Sequence, residues 1–293
     1  MKPFPVQRRK FLKQAALAAG AGVCLLGADA GLIEPNFPQL VPIDLRIAGL
    51  PAELEGLRIA QLSDFHYDEH FTVHPIRTAI EKLNQIKPEV IVLTGDFVTS
   101  PAFAENRQQA RPGAAAAAPC ARVLAALAPR LRTFAALGNH DVYTDPEEVT
   151  RALTTAGIRV LRNEAEPVIF NNRRLWFVGS DDAMEGSPDL ARALRGIPGN
   201  EPVVLLLHEP DYADEVRRFP IINAQLSGHS HGGQVRVPFL GAPYLPEMGK
   251  KYPWGLRQLG SLLLYTNVGI GTIRVPVRWN CPPEITLFTL RSK

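Results

Sequence analysis

The stretch Gly228-His229-Ser230-His231-Gly232-Gly233 sets two imidazoles two residues apart among small neighbours. It follows the apolar pair Ile221-Ile222, which predicts the exit of a buried strand. Side chains at i and i+2 of an extended segment point the same way, so His229 and His231 can reach one ligand together. Glycines on either side let backbone and ligand come close. Such a pair can also be ordinary loop polarity, and its neighbours decide. Four further motifs rich in metal-ligand residue types each follow an apolar run: Asp64-Phe65-His66, Gly95-Asp96, Gly138-Asn139-His140-Asp141 and His208-Glu209. Open α/β sheets place ligands beyond the carboxyl ends of their strands, so all five motifs converge on one rim. A lone Asp after a strand is usually a turn former; five such motifs in a row point to a metal site.

The elements that must position them read as alternating strands and helices. Residues 41–47, 57–62, 90–93, 133–137, 175–178 and 203–207 have strand character. Residues 75–87, 119–127, 146–156, 188–194 and 212–218 have helical spacing or helix-start signals. The alanine-rich stretch 107–118 reads as a loop, and the tail (262–265, 274–277, 285–290) as β-rich. This order defines an α/β class with a mixed sheet system.

The first thirty residues read differently. Arg8-Arg9-Lys10 leads into an Ala/Gly-rich apolar run over 15–26, then Ala28-Asp29-Ala30, a small-x-small pattern suited to signal peptidase. A charged start, a short apolar run and that site make an export signal or an N-terminal anchor. Arg8-Arg9 with Phe11-Leu12-Lys13 resembles the twin-arginine type, with Gln7 where Ser or Thr is usual. The reading is therefore 1–30 leader, 31–56 tether and first strand, 57–293 catalytic domain. It expects export by the twin-arginine machinery to the periplasm or the outer face of the bacterial cytoplasmic membrane. Beyond residue 30 the chain has 27 basic and 28 acidic residues, so the formal +3 belongs to the leader and no nucleic-acid partner is expected. Cys120 and Cys281 could pair in an oxidising compartment, or stay as two buried thiols.

The ordered set Asp-x-His, Gly-Asp, Gly-Asn-His-Asp, His and Gly-His-x-His resembles the calcineurin-like metallophosphoesterases over residues 58–237. The leader, the stretch 228–238 and the ending Asn280-Cys281-Pro282-Pro283-Glu284 are most similar to the exported or membrane-attached bacterial branch. The resemblance implies a four-layer αββα sandwich of two mixed β-sheets. It implies two divalent metal ions, one held by Asp64, His66, Asp96 and His231, the other by Asp96, Asn139, His208 and His229. Two such ions share a bridging hydroxide and clamp phosphoryl oxygens. Four imidazoles favour Mn, Fe, Zn or Co over a pure Mg or Ca site.

By the same resemblance His140 protonates the leaving oxygen. Some phosphatase branches orient that histidine with an Asp at the position of Thr99 here, which leaves its partner open. Asp141 is a candidate supporting residue or a turn cap. Lys251 and Tyr252, in Lys250-Lys251-Tyr252-Pro253-Trp254, are candidates for gripping a phosphate, sugar or lipid headgroup, or for packing a structural loop. Arg236 and Arg274 are weaker candidates for phosphate contacts, and His70 and His74 read as surface residues. The function implied is hydrolysis of a phosphomonoester or phosphodiester, lipid- or nucleotide-linked substrates included. A UDP-2,3-diacylglucosamine pyrophosphatase of lipid A biosynthesis is the alternative, and a non-catalytic metal-binding module the rival of another class.

Overall fold

The computed structural model describes residues 5–293. Twelve strands form two six-stranded sheets. The first holds β1 (Gln39–Ile47), β2 (Arg58–Leu62), β3 (Val90–Thr94), β4 (Arg132–Ala136), β5 (Arg159–Val160) and β12 (Glu284–Ser292). The second holds β6 (Glu164–Phe170), β7 (Arg173–Gly179), β8 (Val203–Leu206), β9 (Ala224–Ser227), β10 (Gly255–Leu259) and β11 (Leu262–Thr266). Their orders are β1-β12-β2-β3-β4-β5 and β10-β11-β9-β8-β7-β6. Both are mixed: β2, β3, β4 and β5 run parallel with β12 antiparallel to β2, and β7, β8, β9 and β11 run parallel between antiparallel β6 and β10.

The period of two along each strand divides its residues between two cores. Ile59 of β2 and Val90 and Val92 of β3 face the second sheet, where they join Val204, Leu206, Leu226 and Tyr265. Phe134 of β4 stacks on Phe177 of β7 across that interface, with ring centroids 4.9 Å apart. The alternate residues Ala60, Leu62, Ile91 and Leu93 face the helices Val73–Ile86, Ala117–Leu124 and Pro146–Thr155. A third apolar cluster seats the short helices Leu190–Ala193 and Ala213–Val216 on the outside of the second sheet. The layers are thus αββα. Because both faces of β3, β8, β9 and β11 are covered, these strands are apolar or buried throughout.

Several boundaries differ from the sequence reading. The alanine-rich stretch is helical, Arg107–Ala110 continuing into a 3-10 turn over Arg111–Ala116, with Asn106 capping its start through Gln109 N–H. Residues 274–277, expected as strand, form none; Arg274 takes φ 62° and the segment carries Pro276. The strand expected over 41–47 is β1, which starts two residues earlier and pairs with β12 from Gln39↔Glu284 to Ile47↔Ser292.

The N-terminal helix Pro5–Ala28 continues through a π-helical segment, Asp29–Ile33, and a 3-10 turn, Glu34–Asn36. Over Lys10–Asn36 it is long and apolar enough to cross a membrane, by length and composition, and its most apolar 18 residues are not buried; a signal sequence has the same properties. Residues 1–4 of the expected leader lie outside the described residues. Cys120 and Cys281 are both buried free thiols.

Candidate metal centre

Each predicted motif lies just past the C-terminal end of a parallel strand: β2 for Asp64 and His66, β3 for Asp96, β4 for Asn139, β8 for His208, β9 for His229 and His231. The convergence does not come from extended backbone. Asp64, His66, Asp96, His229 and His231 all have φ between 40° and 68°, the left-handed region that side-chain-bearing residues rarely adopt. Cross-strand bonds hold these turns: Asp64 N–H donates to Gly95 O at 3.0 Å and His66 N–H to Asp96 O at 2.9 Å. Gly95 and Gly138 allow two turns to touch, because a Cβ on Gly95 would stand 2.5 Å from Gly138 N and 2.7 Å from His208 Nδ1. Sidedness along a strand therefore gave the right grouping through the wrong backbone.

The expected ligands fall into two donor clusters, and a third group, His66, Asp96 and His140, overlaps both. Asp64, His66 and His231 form one, Asp96, His208 and His229 the other, with ligand atoms in each within 4.8 Å of one another. Asp96 lies between them, its Oδ2 3.1 Å from His208 Nε2 and 3.4 Å from His66 Nε2. Asn139 Oδ1 stands 3.1 Å from His229 Nδ1, joining the second cluster. All seven residues expected as ligands thus come together.

Hydrogen bonds behind the clusters fix which ring nitrogens carry protons. A carbonyl oxygen only accepts, so His208 Nδ1, 2.6 Å from Thr94 O, and His229 Nε2, 2.6 Å from Glu247 O, each donate. That leaves the opposite nitrogen of each neutral ring as a lone pair. His208 Nε2 then faces the carboxylates of Asp96 and Asp64, the latter at 3.9 Å, and is buried without a hydrogen-bond partner. His229 Nδ1 likewise faces an amide oxygen, and His66 Nε2 faces His231 Nε2 at 3.0 Å. Carbonyls that orient ligand imidazoles are the usual support of a metal site, and here they turn the other ring nitrogen of His208 and of His229 towards the cluster. The donor set fits divalent metal ions.

The charges agree. Burial resists ionisation of Asp96, yet His208 and His140 hold its carboxyl well below the usual range. Burial opposes a proton on His208 too, but Asp96 and Asp64 raise its pKa well above normal. Burial, with Asp96 nearby, raises Asp64. His231, buried against His66 and Arg278, is pushed well below its ordinary value, and burial lowers His229 to about 4. Asp96 and His208 thus form a buried ion pair, and a metal ion would take the place of the His208 proton.

His140, whose partner the sequence left open, is held by Ser100. Ser100 N–H donates to its Nδ1 at 2.9 Å, with Ser100 Oγ at 2.7 Å. Nδ1 is therefore the acceptor and Nε2 carries the proton. Burial lowers His140 to about 4, partly offset by Asp96. Thr99, at the position expected to orient His140, instead meets His66 Nδ1 at 3.0 Å. No signal marked Ser100, because the bond uses a backbone N–H that any residue but proline supplies. Arg278 was also missed: fully buried, it donates to the carbonyls of Val268, Gly269, Gly271 and Cys281 and pins the loop that packs on Asp64.

Asp141 both caps and supports. Its carboxylate accepts N–H bonds from Asp96, Phe97, Val98 and Gly138 at 2.8–3.1 Å. Burial and the Asp96 charge push its pKa to about 8 against those donors. Lys251 and Tyr252 are not brought to the site: Lys251 Nζ donates to Asp214 at 2.6 Å, Tyr252 OH reaches the same carboxylate, and the loop backbone is tied to Asp211. Arg236 stacks on Trp254, 4.1 Å from the ring centroid. Arg274 does line the cavity of about 570 Å³ that opens beside Asp96, Asn139, His140, His229 and His231.

Two mixed sheets packed face to face, with such a rim at the ends of their strands, define a phosphoesterase architecture. The chain matches the family model for calcineurin-like phosphoesterases over residues 57–233 and belongs to that family. It is 35% identical over 292 residues to the uncharacterized metallophosphoesterase YkuE of Bacillus subtilis, covering 98% of each chain. It is 32% identical to phosphodiesterase YaeI of Escherichia coli, covering 97% of this chain and 99% of that one. UDP-2,3-diacylglucosamine pyrophosphatase LpxG of Chlamydia muridarum is 26% identical, over 88% of this chain and 91% of its own.

Proposed function

We propose that the protein hydrolyses phosphodiesters at a centre of two divalent metal ions bridged by Asp96. The observation that supports this most directly is the orientation of His208 and His229, each of which turns one ring nitrogen to a carbonyl and the other inward to the cluster. When bound, such a pair of ions lowers the pKa of water from 15.7 towards about 7 and supplies a nucleophile at neutral pH. Asp64, His66, Asp96 and His231 would hold one ion; Asp96, Asn139, His208 and His229 the other. His140, with its proton on Nε2, donates to the phosphoryl or leaving oxygen; the Ser100 N–H on Nδ1 keeps that proton facing the cavity. Arg274 adds a cation at the cavity wall.

The similarity to phosphodiesterase YaeI supports the diester over the monoester. The basic start Arg8-Arg9-Lys10, then a helix long and apolar enough to span a bilayer, support a reading with the domain on the outer face of the membrane under the positive-inside rule. The twin-arginine resemblance supplies the route.

The test is hydrolysis of bis-p-nitrophenyl phosphate and p-nitrophenyl phosphate by metal-stripped protein titrated with Mn, Zn, Fe, Co and Mg. Turnover restored by a transition metal, with the diester preferred, is the expected result. Two bound metals with no turnover of either ester would favour the non-catalytic metal-binding module.

A further inference from the structure

We propose that the mouth of this site docks on the surface of a lipid bilayer, through the loop tip Pro238-Phe239-Leu240, and takes a phosphodiester carried on a lipid. The substrate part rests on the phosphodiesterase reading above; the docking part does not. The tip is a closed turn, with Val237 N–H donating to Gly241 O and Gly241 N–H to Val237 O, both at 2.8 Å. Phe239, at φ 68°, is lifted wholly into solvent, and Leu240 is 83% exposed. Tyr244 and Val275, both largely exposed, line the cavity with the exposed Met184, and the half-buried Ile273 and Val277 lie deeper. Clustered exposed apolar side chains mark an interaction surface.

What covers that surface follows from how the N-terminal helix joins the domain. The helix is apolar, and none of the 18-residue window that makes it a candidate span is buried by protein. No free linker separates it from the cavity wall. Ala30 O accepts the Arg278 N–H at 2.9 Å, and the Glu34 carboxylate accepts the N–H groups of Asn280 and Cys281 at 2.9 and 2.5 Å. The same loop is stitched to the tip segment: Gln234 exchanges side-chain bonds with Ile273, and Trp279 N–H donates to Gln234 O. Wherever that helix leaves a bilayer, the cavity wall and the tip leave with it. Arg274, exposed and 5.9 Å from the Tyr244 ring centroid, adds a cation and an aromatic at the mouth, the pairing suited to the headgroup level of a membrane.

Two readouts on the full chain, reconstituted in vesicles of dioleoylphosphatidylcholine and dioleoylphosphatidylglycerol, test this. First, Phe239→Trp adds an indole at the tip, read as a difference from the parent emission. Quenching by lipids brominated on the acyl chain, with protection from acrylamide, is expected. An indole quenched by acrylamide and blind to bromine overturns the docking; one protected from both is covered by protein, a second copy included, and overturns it equally.

Second, phosphatidyl-p-nitrophenol in the vesicle is compared with soluble bis-p-nitrophenyl phosphate. In each, water adds to phosphorus and the aryl P–O bond breaks, giving p-nitrophenol and, from the lipid, phosphatidic acid. The double variant Phe239→Ser/Leu240→Ser should lose about tenfold on the lipid diester by forfeiting two buried apolar side chains, with the soluble diester unchanged. Equal effects on both, or none on the lipid, overturn the lipid substrate. If neither diester turns over, the phosphodiesterase reading fails while the quenching still decides the docking.

Discussion

Asp141 and Asp96 hold each other's turns: Asp141 Oδ2 accepts the Asp96 N–H at 2.8 Å, while Asp96 Oδ1 accepts the N–H of His140, the residue before Asp141, at 3.0 Å. The bridging carboxylate and the turn that carries Asn139 and His140 are thereby locked to one another. Asp141→Asn puts an amide N–H₂ group against backbone donors. It should weaken metal binding about 10–100-fold, the usual cost of losing a residue that supports ligands. The metal-free fold should lose about 1–3 kcal/mol. Metal titration and urea unfolding measure the two.

His140→Asn should lower kcat on bis-p-nitrophenyl phosphate about 10²–10⁴-fold, with metal content unchanged. Ser100→Ala should have little effect, because the backbone N–H that holds Nδ1 survives. A large loss in Ser100→Ala would show that the hydroxyl, 2.7 Å away, is the real partner.

Thr99→Val removes the only side-chain partner of His66 Nδ1 found among the described residues. The expected result is about tenfold weaker metal binding, seen as a higher metal concentration for half-maximal turnover, with kcat at saturating metal nearly intact. Unchanged metal affinity would show that His66 needs no such support.

Metal binding should release a proton near neutral pH. Asp96, 3.1 Å from Nε2, and Asp64 behind it raise His208 well above its ordinary value despite burial. The metal-free ring therefore holds two protons at pH 7, and the one on Nε2 must leave for Nε2 to ligate. Below that raised pKa, affinity should climb by up to about tenfold per pH unit. Calorimetry in buffers of different ionisation enthalpy reads the proton directly; a heat independent of buffer would contradict it.

The grouping of the site was legible in the sequence because each ligand sits two to four residues past the end of a strand, and five such ends share a rim. The means of convergence was not. Left-handed backbone at Asp64, His66, Asp96, His229 and His231 leaves no mark on composition. The tautomer-fixing partners are backbone carbonyls of Thr94 and Glu247, which any residue could supply. Lys251 and Tyr252 looked available for a substrate until Asp211 and Asp214 claimed them from a distant turn. β6 and β10 escaped notice because they lie at sheet edges with half or more of their residues outside the core. Edge strands carry weak apolar patterns for that reason.

The central claim is a pair of ions sharing Asp96, and electron paramagnetic resonance of the Mn(II)-loaded protein addresses it most directly. The account predicts two Mn(II) per chain with an exchange-coupled spectrum, and loss of that coupling in Asp96→Asn. One Mn(II) per chain, or two giving only the six-line pattern of isolated ions, would contradict it.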